Sequence, residues 1–204
     1  LFLFFSIRKS AYAYYVCFVL VSLLNQAAIH GFGFQFLWPE SIYWNQISIS
    51  FCIGLLITTS GLFCLQFLHL RENSPRLSRL IMTLGGLGVL LSFGSFFLPY
   101  RMTIKVGMAL ILVLCGSLLI AGVLRWKAGQ REARYYTIAW SCYLLGTILF
   151  SMNKMGWVSR NVFMENAQQI GMALLVVLLS LALADRLNTL QKEKKSTERN
   201  LDDT

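Results

Sequence analysis

The sequence predicts an all-α fold: a polytopic transmembrane helical bundle with six complete spans plus the end of a truncated first span, seven spans in the parent protein. Three observations predict it. Of the 204 residues, 56% are hydrophobic and only 13% are charged, whereas soluble domains carry about 25% charged residues. The apolar residues are grouped in long blocks, and the basic residues fall between those blocks.

Six apolar blocks are long enough to cross a bilayer as helices, because about 20 residues at 1.5 Å each cover a hydrocarbon core of about 30 Å. They are Tyr12–Ile29, Ile47–Leu68, Leu80–Leu98, Val106–Leu124, Tyr135–Met152 and Ala167–Ala184. None contains Lys, Arg, Asp or Glu, each of which is costly at mid-bilayer. Backbone groups in lipid must bond within the segment, and no strand alternation is present, so helices are predicted rather than a β-barrel.

The chain begins with an apolar stretch, Leu1–Phe5, that runs directly into Arg8 and Lys9. It is too short to span and has no basic region before it, as a signal peptide would. We expect it to be the last turns of a truncated span. The alternative is a short segment lying at the membrane interface.

The connections between blocks alternate in basic content, which predicts the orientation. Four basic residues lie in one set, namely Arg101, Lys105, Lys154 and Arg160. The other set holds the remaining fourteen of the 18, namely Arg8, Lys9, Arg71, Arg76, Arg79, Arg125, Lys127, Arg131, Arg134, Arg186, Lys192, Lys194, Lys195 and Arg199. Basic loops stay in the cytoplasm, so the chain after Ala184 is predicted to be cytoplasmic. This asymmetry accounts for the net charge of +9 without a nucleic-acid partner.

The sequence contains no recognisable catalytic, metal or cofactor site. The five cysteines lie inside the apolar blocks and form no CxxC pair, so they are expected to pack as small apolar residues. His30 and His69 fall at opposite membrane faces and cannot share a metal ion. This fragment is therefore predicted not to be an enzyme and to hold no cofactor.

Polar side chains cluster at the predicted outer ends of two spans. The candidates are Asn25, Gln26, His30, Glu165, Asn166 and Gln169. Polar groups at such depths face bundle interiors or water-filled cavities. Two interpretations stay open: a ligand pocket facing the periplasm, or hydrogen bonding between helices.

A pair of small residues, Gly88 and Ser92, recurs at a four-residue spacing within one block. Small residues at this spacing allow helix backbones to approach closely. The pair predicts either packing within the bundle or a dimer face.

The tail beyond the last block predicts a helix that leaves the membrane. No Gly or Pro follows Ala184, so residues 1–186 are predicted to form the membrane bundle and residues 187–204 a cytoplasmic helical or coiled-coil linker to a missing output domain. Heptad-like spacing links Leu183, Leu187, Leu190, Lys194, Thr197 and Leu201. A solvated helix end would also fit. The residues predicted to relay a signal are Asp185, Arg186, Leu187 and Leu190.

Several stretches together resemble one protein family, the seven-transmembrane module of bacterial receptors with diverse intracellular signalling modules. They are LFFSIR at 3–8, YYV at 14–16, GFQFLWP at 33–39, ARYY at 133–136, AW at 139–140, QIG at 169–171 and LLSLALADRL at 178–187. The phrase FQFLWP and the run LLSLALADRL carry most of the likeness. The segment Met172–Leu175 departs from the family pattern, which has a small residue and a Glu there.

The resemblance implies a signal transducer of the bacterial inner membrane that works as a homodimer within the lipid bilayer. It implies a periplasmic sensory domain before the first span. It also implies an output domain after the last span, of the histidine kinase or diguanylate cyclase type, as in two-component systems. Any catalysis would then belong to the parent chain outside this fragment.

A small-molecule transporter or permease is the alternative function. Such proteins have inverted repeats and broken helices near mid-membrane, and ion coupling requires charges inside spans. The sequence shows neither the repeats nor the charges. A membrane-embedded enzyme would need titratable groups converging at one depth, and these are also missing.

Overall fold

The computed structural model describes residues 10–154 and 161–202, and this part of the chain is helical without strands. The predicted segment Leu1–Phe5 lies outside the described residues. The elements are α1 (Ser10–Ile29), a π-helical turn (Gly33–Leu37), α2 (Ile42–Phe67), α3 (Leu70–Asn73), α4 (Pro75–Gly94), α5 (Tyr100–Lys127), α6 (Arg131–Lys154) and α7 (Val162–Asp202).

Five described helices are long and apolar enough to cross a membrane: α1, α2, α4, α5 and the Asn166–Asp185 part of α7. This confirms the predicted all-α polytopic fold with one difference in the count of spans. The sixth predicted block, Tyr135–Met152, does form a helix, since it lies within α6. Its 24 residues are about 36 Å long. It falls short of the apolarity of the other five, because tyrosine, threonine and serine side chains are interspersed with its aliphatic ones.

The chain divides into two compact units. Unit 1 is Leu1–Ala121 and holds α1 to α4 with most of α5, and unit 2 is Gly122–Thr204.

In unit 1, α1 packs against α2 through aromatic rings. Phe18 of α1 stacks on Phe63 of α2 with ring centroids 6.4 Å apart, and Tyr15 lies 5.8 Å from the same ring. Phe63 is fully buried. Such ring pairs add about 0.5–1.5 kcal/mol beyond the area they bury.

Small residues join α2 to α4 in unit 1. The hydroxyl of Ser92 donates to the carbonyl oxygen of Phe51 across the interface at 3.1 Å. A Cβ atom on Gly88 would lie only 2.7 Å from the carbonyl oxygen of Gly54. The Thr58 hydroxyl lies 3.0 Å from a carbonyl oxygen of each helix. The predicted small-residue pair is thereby confirmed as packing within the bundle.

In unit 2, α6 and α7 form an antiparallel pair. Gly146 lies against Ala167, whereas Gly171, further along α7, lies against Cys142 and Tyr143, earlier on α6. This pairing brings the start of α6 to the same end of the pair as Asp185. The 41 residues of α7 form one continuous helix about 60 Å long, so the predicted continuation of the last helix is confirmed.

Replacing Gly88 by Val is expected to destabilise unit 1 by about 1–3 kcal/mol, because the added carbons meet the backbone of α2. Gly86→Val is the matched control on the same helix, since a Cβ atom there meets nothing within 4 Å. Equilibrium unfolding in mild detergent measures both. Equal stability of the two variants would show that the α2–α4 contact is not close.

Candidate functional site

One half of the predicted polar cluster lies at the end of α1. Asn25 is 7% exposed, and its amide oxygen is buried without a hydrogen-bond partner among the described residues, as is the amide oxygen of Gln26. His30 is exposed, and its backbone N–H donates to the carbonyl oxygen of Gln26 at 3.0 Å as the helix ends. Leaving a buried acceptor unsatisfied costs about 1–3 kcal/mol, so these two oxygens are candidates to accept a hydrogen bond from a bound donor.

The other half of the predicted cluster lies on the first turns of α7 in unit 2. The amide nitrogen of Asn166 donates to the carbonyl oxygen of Val162 at 2.8 Å, so this amide bonds within its own helix. Gln169 is half-buried. The side chain of Glu165 lies outside the described residues. Because the two halves belong to different units, their union into one pocket stays a prediction.

Sequence reasoning missed Asn153, a further amide at this end of the α6–α7 pair. It is 3% exposed, and its side-chain nitrogen is buried with no acceptor in the described structure. Asn153 lies one residue beyond the predicted block and beside Lys154, where an amide is expected to be solvated. Its burial depends on packing that the sequence pattern does not reveal.

An aromatic cluster closes one end of unit 1. The ring of Trp44 contacts three others, with centroid distances of 6.3 Å to Trp38, 5.3 Å to Phe51 and 6.1 Å to Phe96. The Tyr43 hydroxyl donates to the carbonyl oxygen of Phe96 at 3.0 Å. These contacts tie the π-helical turn and the end of α4 to the start of α2.

Gly33 makes the close approach of Trp38 possible. A Cβ atom at this position would lie 2.7 Å from one indole carbon and 3.0 Å from another. The FQFLWP phrase therefore folds into a turn in which the indole covers a glycine, while Phe36 and Leu37 are left 71% and 59% exposed. Exposed rings at the end of a span are typical of the membrane interface.

The backbones of α6 and α7 contact each other in unit 2. A Cβ atom on Gly146 would meet the carbonyl oxygen of Ala167, and one on Gly171 would lie 3.2 Å from that of Cys142. Each glycine thus admits the backbone of the neighbouring helix, as small residues do in membrane helix pairs.

Bulkier side chains are buried toward the other end of the pair. Tyr136 on α6 is fully buried, as are Leu175 and Leu179 on α7. The Tyr136 ring lies 6.1 Å from that of Trp140. Along α7 toward Asp185, the buried residues therefore change from glycine to larger side chains.

The predicted relay residues all lie on α7. Asp185 is exposed, and the helix continues through Arg186, Leu187 and Leu190 to Asp202. The side chains of these last three relay residues lie outside the described ones, so their pairing stays a prediction. Across the described part of the chain, no three His, Cys, Asp or Glu side chains converge as metal ligands would.

Comparison with known proteins gives one match. A family model with the description 7TM diverse intracellular signalling matches residues 1–186 of the 204. No curated protein matches the chain, and no solved structure does. The family match ends within one residue of Asp185.

Gly146→Val is expected to push α6 away from α7, because the added carbons meet the Ala167 backbone. Amide hydrogen exchange should then accelerate along the buried stretches of both helices, as measured by mass spectrometry. Gly116→Val is the control, since a Cβ atom there has open space. Unchanged exchange in the Gly146 variant would contradict the close α6–α7 contact.

Proposed function

Because the chain belongs to the 7TM diverse intracellular signalling family, we propose that its last helix relays a periplasmic or membrane signal to a cytoplasmic output domain. The chain is a multi-pass transmembrane signalling module. The single observation that carries the finer proposal is the continuity of α7.

Continuity matters because a loop at the membrane surface would absorb a displacement of the span. The spanning part of α7 ends at Asp185, and the helix ends at Asp202. These 17 further residues extend about 26 Å beyond the span. A shift or rotation of the span is therefore carried to the end of the helix.

The contact with α6 supports two alternative packings of α7. At Gly146 and Gly171 the helices touch through backbone, so neither of these positions contributes a side chain that would resist a small slide or rotation of α7. Beyond these glycines Leu175 and Leu179 of α7 are fully buried, and packed side chains fit discrete arrangements. A two-state change of helix packing is a known form of transmembrane switching element.

Amides supply a place where a signal could bias the two packings. Asn153 has a buried donor without an acceptor in the described part of the chain, and Asn166 and Gln169 lie on the first turns of α7. A ligand or packing that satisfies Asn153 in one state alone would favour that state by about 1–3 kcal/mol. That range matches the coupling energies of typical allosteric proteins.

Charge supports a cytoplasmic position for the end of α7. The α5–α6 connection lies at the same end of the α6–α7 pair as Asp185. Arg125 and Lys127 precede this connection, and Arg134 follows it. Basic connections remain on the cytoplasmic side. The placement in a bacterial inner membrane and the histidine kinase or diguanylate cyclase output are the finer parts of the proposal, drawn from the family resemblance.

Transport is not favoured by the described spans. Transporters bind substrate at helices broken near mid-membrane, whereas α1, α2, α4 and α5 each run unbroken across their spans. The heptad-like spacing after Leu183 favours pairing of two copies through their tails, as a dimeric receptor requires.

Insertion of residues between Arg186 and Leu190, in a chain that carries its output domain, tests the relay. Each added residue rotates the following helix by about 100°, so output should vary periodically with insertion length. An added heptad should restore it. The same insertions beside Gly129, an exposed turn residue with φ +89°, control for tolerance to lengthening. If output does not change with the length of the insertion after Arg186, the relay proposal is wrong.

A further inference from the structure

A rigid connection presents three arginines at one end of unit 1. His69 takes a left-handed conformation with φ 47°, and the short helix α3 follows. Leu70 is fully buried and anchors that helix. The backbone N–H of Ser74 donates to the carbonyl oxygen of Leu70 at 2.9 Å, and α4 begins at Pro75. We call residues 70–79 the arginine turn.

The three guanidinium groups of this turn have no partner among the described residues. Arg71, Arg76 and Arg79 are all exposed, and none makes an ion pair or hydrogen bond within the described residues. Glu72 is exposed too and pairs with none of them. Three positive charges against one negative leave a net charge of +2 on ten residues.

Two described arginines of unit 2 behave differently. The Arg125 guanidinium donates to the side-chain oxygen of Gln130 at 3.0 Å. That of Arg134 lies over the Trp126 ring, 5.9 Å from its centroid. These two groups have partners within their own unit, whereas those of the arginine turn remain available to an outside anion.

The position along α4 places the free arginines beside lipid. Leu80 and Met82 lie within three residues after Arg79, and they are 42% and 45% exposed. In a spanning helix such exposed apolar side chains face the acyl chains. Arginine at this border keeps its aliphatic stem along apolar surface and its guanidinium at headgroup level.

From these observations we propose that the arginine turn binds the headgroup of an anionic phospholipid. Planar guanidinium groups bind phosphate oxygens in pairs. The neighbouring start of α4 has no side-chain cap, so its backbone N–H groups add partial positive charge. The apolar surface just beyond Arg79 receives the acyl chains, which a soluble phosphate lacks. This inference requires membrane embedding and does not depend on the relay through α7.

Native mass spectrometry of the whole chain in detergent, titrated with phosphatidylglycerol or phosphatidylcholine, tests the proposal. Phosphatidylglycerol is expected to bind more tightly. Each arginine near a membrane surface contributes about 1 kcal/mol, or roughly fivefold in affinity. The double variant Arg76→Gln and Arg79→Gln should therefore lose most of that preference.

Arg101→Gln with Lys105→Gln is the matched control. It removes the same charge from two exposed residues that lie at the opposite end of the spans. Equal loss in the two double variants would mean attraction by net charge alone and would overturn the proposal. So would equal binding of the two lipids, or effective competition by soluble glycerophosphate.

Arg76→Lys with Arg79→Lys provides a second variant that keeps the charge and the fold. Since lysine lacks the paired donors of arginine, it should bind phosphatidylglycerol more weakly than the unaltered chain and more tightly than the Gln variant. Affinity equal to that of the unaltered chain would contradict recognition by guanidinium groups.

Discussion

Close contact between helix backbones is the interaction on which both units depend. Lipid tails are as apolar as leucine, so no hydrophobic force draws two membrane helices together. Gly54 and Gly88 bring α2 and α4 near enough for Ser92 to donate across the interface. Gly146 and Gly171 do the same for α6 and α7. Each contact gains dispersion energy that one added methyl group would forfeit. In unit 2 the two glycines place no side chain of their own in this contact, and the proposed relay depends on a change of α7 packing there.

Much of the fold follows from the sequence, because membrane helices must satisfy their backbone within one apolar segment. The small-residue pair Gly88 and Ser92 was visible as a local spacing on a single helix. The continuation of the last helix past Asp185 followed from the lack of Gly or Pro. The π-helical turn at Gly33–Leu37 was not predictable, because it depends on an indole covering a glycine. The lower apolarity of α6 comes from uncharged tyrosine, threonine and serine side chains. They do not interrupt an apolar block as visibly as a charged residue would.

Less of the candidate site could be predicted. The amides of Asn25 and Gln26 stood out because they interrupt an apolar block. Asn153 did not, since it lies beside a lysine at the edge of its block. The contact of Gly146 with Ala167 joins two helices, and no spacing within one helix reveals such a pairing. Burial and unsatisfied donors are properties of packing, so they emerge only in three dimensions.

We propose that one rigid helix leaves the membrane and carries the signal. The most direct test of this relay is the distance between spin labels at Leu181 and Asn200, measured by double electron–electron resonance in nanodiscs. Asn200 lies 19 positions after Leu181 on α7. An unbroken helix therefore predicts a narrow distribution of distances between the two backbone positions, centred at about 28 Å. A broad or markedly shorter distribution would place a break at the membrane surface and contradict the account.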